Sequence, residues 1–173
     1  QGGRLELDRG GIFENTGALV NNGTLYIGIE GGSLNLSGGT ATNTGTIINY
    51  SFINGTLTAN TGTIENHFCN ATSSAIFTAA LADANIAHIY IGDSASITLT
   101  TDSPFTKKVE IDDGALTINA NVAIKTDDGY LAIDGPGSVV VSDVKTITVS
   151  AAGRIGINGE LEVHGALANN GEI

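Results

Sequence analysis

The sequence predicts an all-β fold, a single-chain parallel β-solenoid in which short strands and corners wind into stacked coils. Three observations predict it. In the stretch Gly153 to Ile173, GRIGINGELEVHGALANNGEI, glycine recurs every sixth residue, at Gly153, Gly159, Gly165 and Gly171. Two places after each stands an aliphatic, Ile155, Leu161, Leu167 and Ile173, and Ile155/Ile157 and Leu161/Val163 alternate with Arg154, Gly156, Glu160 and Glu162 as a strand requires. The same grammar, glycine followed two places later by an apolar residue, recurs earlier at Gly3/Leu5, Gly11/Phe13, Gly17/Leu19, Gly23/Leu25, Gly32/Leu34, Gly45/Ile47, Gly55/Leu57 and Gly62/Ile64. Finally, 24 of the 173 residues are glycine but only 2 are proline, and aliphatics recur between the glycines, which excludes collagen and a disordered linker. Strand and corner alternating at a short period is how a chain winds into a solenoid. Each glycine is expected to mark a corner where φ is positive.

Taken in order, residues 1–72 read as Asn/Gly/Thr-rich coils. Polar pairs precede the corners at Asn15-Thr16, Asn21-Asn22, Asn43-Thr44 and Asn60-Thr61. Asparagine suits turns, and in a stack its carboxamide can hydrogen-bond from coil to coil as a ladder. Residues 73–87 break the pattern. The stretch TSSAIFTAALADANIA holds no glycine, Ser73 or Ser74 is a candidate N-cap, and Ile76, Phe77, Ala80 and Leu81 have helical spacing. This segment reads as an insertion, one short helix or an irregular loop, covering the flank of the solenoid or contacting a neighbour. Residues 88–173 return to strands, rich in β-branched residues in HIYIG, SITLT, KVEID, ALTIN, YLAID, SVVVS and TITVS, with Asp-Gly corners. The chain therefore reads as one domain over 1–173, and at ~20 residues and ~4.8 Å per coil it makes about eight coils and a rod of about 35–40 Å.

The strings GALVNNGTL (Gly17 to Leu25), TNTGTII (Thr42 to Ile48), NGTLTANTGTI (Asn54 to Ile64) and GALANNGEI (Gly165 to Ile173) resemble the repeats of large secreted adhesins, the haemagglutinin-type exoproteins and autotransporter passenger domains. The resemblance implies a right-handed parallel β-helix displayed outside a cell. The regular six-residue period at the end is similar to that of left-handed hexapeptide solenoids, but the longer, irregular spacings elsewhere favour the right-handed type.

Charge and composition narrow the function. A net charge of −11 with only 7 Lys and Arg leaves no basic patch for nucleic acid or an anionic membrane surface. No apolar run approaches the ~18–20 residues that span a bilayer, so membrane insertion is not expected. The chain begins with Gln1 and not Met, which reads as a processed or excised product. Cys69, the one cysteine, is either a small buried hydrophobe or a bridge between copies. Enzymes built on β-helices place carboxylates on neighbouring coils. Asp112, Asp113, Asp127, Asp128 and Asp134 all lie within two places of a glycine, as ordinary turn residues do, so no catalytic residue is assigned. His67, His88 and His164 have no metal-ligand spacing. No cofactor is expected; calcium is the one candidate, at Asp112, Asp113, Asp127 and Asp128, whose two pairs stand 15 residues apart and would align on adjacent coils. N-glycosylation sequons begin at Asn22, Asn35, Asn49, Asn54 and Asn70.

The ends carry the functional expectation. GGRLEL enters a strand almost at once, the last repeat stops on the core-type Ile173, and ALANNGEI read into QGGRLEL continues the grammar. Open coil edges template further strands. The expected function is a structural subunit of an extracellular filament or cell-surface assembly whose partners are copies of itself, joined head to tail through Gln1, Leu5, Leu7, Leu161, Leu167 and Ile173. The alternative is a segment of a larger surface adhesin that binds glycans or a host surface; a carbohydrate-active enzyme is the third reading. An exposed aromatic cluster would favour glycans, and Tyr26, Tyr50, Tyr90 and Tyr130 are scattered along the sequence.

Overall fold

The computed structural model describes residues 3–28, 32–125 and 129–173. It is a β-solenoid, with every strand pairing parallel and one short helix. The chain divides into two compact units, residues 1–68 and 69–173.

In the first unit three sheets run side by side. One holds β1 (Arg4–Leu7), β4 (Thr24–Ile27), β7 (Thr46–Asn49) and β10 (Thr63–Asn66). The second holds β2 (Ile12–Glu14), β5 (Ser33–Asn35) and β8 (Phe52–Asn54), and the third β3 (Ala18–Asn21), β6 (Thr40–Asn43) and β9 (Ala59–Asn60). Successive strands fall in successive sheets, so each circuit of three is one coil. Pairing runs from Arg4 to Thr24, from Thr24 to Thr46 and from Thr46 to Thr63, which puts in-register residues 20, 22 and 17 positions apart. Leu25, Ile27, Leu34, Leu36, Ala41 and Ile47 fill the interior.

The second unit repeats the plan. Its sheets are β11 (Phe68–Asn70), β12 (His88–Ile91), β15 (Lys108–Asp112), β18 (Tyr130–Asp134) and β21 (Arg154–Ile157); β13 (Ser96–Leu99), β16 (Ala115–Ile118), β19 (Ser138–Val141) and β22 (Glu160–Val163); and β14 (Ser103–Phe105), β17 (Val122–Ile124), β20 (Thr146–Val149) and β23 (Ala166–Asn169). Alternation turns every second side chain inward, and register stacks them in columns. Ile89, Val109, Leu131 and Ile155 form one, and Ile97, Leu116, Val139 and Leu161 another. Each fully buried aliphatic contributes about 1.5–3 kcal/mol.

The insertion is a helix, α1 (Ser74–Ala82), N-capped by Ser73, whose hydroxyl accepts from the Ile76 N–H. It packs on β12, β13 and β14, and Phe77 and Ala80 enter the core of the second unit. The Thr98 N–H on β13, which has no strand on its outer side, donates to Ser74 Oγ at 2.8 Å. The helix therefore covers the end of the core. Lys107, 6% exposed, donates from Nζ to the carbonyls of Ala80 (2.9 Å) and Asp83 (2.6 Å), holding the last turn of α1, and its burial lowers its pKa.

The corner glycines differ from expectation. Among the described glycines only Gly10, Gly55 and Gly135 have positive φ. Many of the others stand against backbone of the neighbouring coil. A Cβ built on Gly45 would lie 2.1 Å from the carbonyl oxygen of Gly23, and one on Gly62 would lie 2.1 Å from that of Gly45. Close stacking of corner on corner excludes a side chain there.

The expected asparagine ladder is present. Asn21 Nδ2 donates to Asn43 Oδ1 at 2.7 Å, and Asn43 Nδ2 to Asn60 Oδ1 at 2.8 Å. A second rung pair joins Asn49 to Asn66 at 2.7 Å. Asn15, Asn21, Asn35, Asn49 and Asn169 each fold a turn by accepting the N–H two residues on.

Candidate functional site: the edge coils

The sheets of each unit end in edge strands on both sides, and one row in each unit bears on the expected joint. In the first unit the row is β1, β2 and β3; in the second it is β21, β22 and β23. Edge strands carry backbone N–H and C=O groups directed away from their one partner. Side chains that alternation sends inward are left partly uncovered there. Leu5 is 42% exposed, Leu167 38% and Ile173 51%. Leu161 is half-buried at the foot of its column. Leu7 is buried in the core cluster with Leu25 and Ile27. Gln1 lies outside the described residues.

Sequence reasoning missed two residues of the first edge. Ile12 (67% exposed) and Val20 (59%) point outward. Their signal was present: if Phe13 and Leu19 face the core, their neighbours face out. A cavity of about 340 Å³ opens beside this edge, lined by Leu5, Leu19, Val20 and Leu25 with the Asn21-Asn22 turn. At the other edge β21 already has a neighbour. Arg154 bridges in parallel to Glu172, and the Ile155 N–H donates to the Glu172 carbonyl at 2.9 Å. β22 and β23 have none among the described residues.

The ladder partner of Asp112 is Asp134, 22 residues on. Asp112 accepts the Tyr90 hydroxyl at 3.1 Å, and burial together with that carboxylate pushes the phenol up to about 12. Asp113 has φ 56 and its carbonyl accepts the Ser94 N–H, so it is a turn residue. Asp127 and Asp128 lie outside the described residues. Among the described residues no three His, Cys, Asp or Glu side chains are grouped to hold a metal.

One ionisable cluster is well formed. His88, 4% exposed, meets Glu110 Oε2 through Nε2 at 3.0 Å, and Lys108 Nζ reaches the same oxygen. The hydrogen bond from His88, then that from Lys108, hold the Glu110 carboxyl down at about 2, from an ordinary 4.5. A carboxyl whose folded pKa is depressed contributes stability above its unfolded pKa and loses it as pH falls through the folded one. We expect the second unit to lose roughly 1–2 kcal/mol between about pH 4.5 and 2, after screening at this partly exposed site, and Glu110→Gln to flatten that part of the pH–stability curve. Urea melts across that range measure it. His164 pairs with Glu162 at 2.9 Å on the surface.

The aromatics of the first unit are gathered by the stacking of neighbouring coils. Tyr26 and Tyr50 lie 5.7 Å apart, Tyr50 stacks on His67 at 4.5 Å, and the Arg4 guanidinium covers Tyr26 at 4.9 Å. Of the sequons, Asn22 and Asn54 are exposed and Asn35 and Asn70 intermediate. Asn49 is 5% exposed and spends its amide nitrogen, the atom a glycan would occupy, on Asn66. Cys69 is half-buried against the core of its unit, and burial raises its thiol pKa.

No protein-family model, no curated protein and no solved structure matches this chain.

Proposed function

We propose that this solenoid is a structural subunit that self-associates head to tail through its edge coils, in an extracellular filament or cell-surface assembly, with no enzyme activity of its own. The observation that carries the reading is the contrast between the ends of the second unit. The core side at β12–β14 is closed by α1, with Phe77 buried in it, whereas β22 and β23 offer an edge with Leu167 partly uncovered. The β1–β3 edge of the first unit offers a matching row, with Leu5 uncovered beside a cavity. Parallel pairing of one edge on the other adds main-chain hydrogen bonds and continues the aliphatic columns. The contact is heterologous, so it propagates. The acidic balance of the chain keeps such a polymer soluble, and the likeness to adhesin repeats supports an extracellular setting.

Sedimentation velocity and negative-stain microscopy over a concentration series test the reading. Wild-type protein forms end-to-end oligomers. Leu167→Asp or Leu5→Asp weakens assembly at least about tenfold, whereas Val144→Asp, in a 92% exposed loop, leaves it unchanged. Wild-type protein that stays monomeric at millimolar concentration overturns it.

The aromatic cluster supports a second reading, a lateral glycan-binding face. Its rings are half-buried and Tyr26 is covered by Arg4 on one side and flanked by Tyr50 on the other, which leaves mainly ring edges for a ligand. Binding to immobilised glycans that is lost in Tyr50→Ala would favour this reading.

A further inference from the structure

We infer that the joint between copies has one register, in which β1 of the incoming copy pairs with β22 and its β2 pairs with β23, a step of one sheet from the arrangement that sets β1 on β21. This inference rests on the self-association proposed above and names the surfaces that meet.

Four observations point to it. The start of β21 is bridged by Glu172, whereas β22 has no neighbour on that side among the described residues. β22 and β1 then match in order: Glu160 faces Arg4, Leu161 faces Leu5, Glu162 faces Glu6 and Val163 faces Leu7. Inward residues meet inward ones, and Arg4, which already pairs with Glu6 at 3.3 Å, gains Glu160 as a second carboxylate beside the Glu162–Glu6 pair; with β1 on β21 it would face Arg154. The asparagine turns also come into line. Asn169 accepts the Gly171 N–H as Asn21 accepts that of Gly23, and in Asn21 the amide nitrogen donates on to the next coil. With β2 on β23, Asn169 faces Asn15, which has the same turn to Gly17. Lastly, corner glycines in later coils are compelled by the coil before them, but a Cβ on Gly3 or Gly17 would meet nothing within 4 Å. In this register Gly3 stands against Gly159 and Gly17 against Gly171, so both gain the close carbonyl neighbour that glycine accommodates elsewhere.

Cysteine pairs read the register directly, because facing residues on paired strands lie within disulfide range and residues one sheet away do not. In full-length protein carrying Cys69→Ser, Arg4→Cys with Glu160→Cys is expected to give a ladder of covalent multimers on a non-reducing gel. Arg4→Cys with Arg154→Cys is expected to stay at least tenfold less cross-linked. A charge test runs beside it: Arg4→Glu and Glu160→Arg each weaken assembly about tenfold, and together restore it. Each variant's melting midpoint reports that it is folded. Cross-linking of the Arg154 pair in place of the Glu160 pair overturns the register, as does assembly with neither pair linking. Wild-type protein that never assembles overturns the self-association reading and the register with it.

Discussion

Phe77→Ala is expected to destabilise the second unit by about 3–5 kcal/mol, read as a shifted urea midpoint. Phe77 is fully buried, meets Phe105 edge-on at 6.1 Å, and is the side chain that ties α1 to the core. Truncation leaves a cavity where Ala71, Ile97 and Phe105 would close only in part. It also loosens the helix. The nine residues of α1 are too few to be stable alone, so its persistence depends on that packed face. Circular dichroism should show the helical signal melting earlier than the strand signal in the variant. If Phe77→Ala melts like wild type, α1 is no part of the core.

Gly45→Ala is expected to cost at least about 3 kcal/mol, or to prevent the first unit from folding. The new methyl would lie 2.1 Å from the carbonyl oxygen of Gly23, and backbone on both sides cannot withdraw without breaking the rungs at Asn21 and Asn43. Gly17→Ala is the control. Its methyl meets nothing within 4 Å and its φ is not positive, so the monomer should change by no more than about 0.5 kcal/mol. The pair separates steric stacking from turn conformation. If φ were the reason for these glycines, both substitutions would cost alike.

The fold was legible because its periods are local. Gly-x-aliphatic spacing marks corner, outward residue and inward residue, and the asparagine turns announce themselves by the glycine or serine two places on. The helix was legible through Ser73 and the spacing of Phe77 and Ala80. What pairs with what was not. In-register offsets run from 17 at Thr46/Thr63 to 25 at Val122/Ile147, so sequence spacing alone carried no information about neighbours. The same variability hid the Tyr26–Tyr50–His67 cluster and the His88–Glu110 contact, whose members are distant in sequence and meet only across neighbouring coils. Lys107 was illegible for another reason. A lysine beside a strand reads as solvated, and only the fold of α1 brings two carbonyls to it.

The uneven length of the coils has a consequence for how such a chain changes over generations. Thr46 lies 22 residues after Thr24 and 17 before Thr63, yet all three share one ladder. The cross-section is set by three short strands and the contact between corners, and the surplus residues are carried outside. A corner can thus lengthen or shorten without disturbing the columns, whereas a one-residue slip within a strand turns its inward face out. Changes of length are best tolerated at the corners, where what the coil displays can vary while its wall stays fixed.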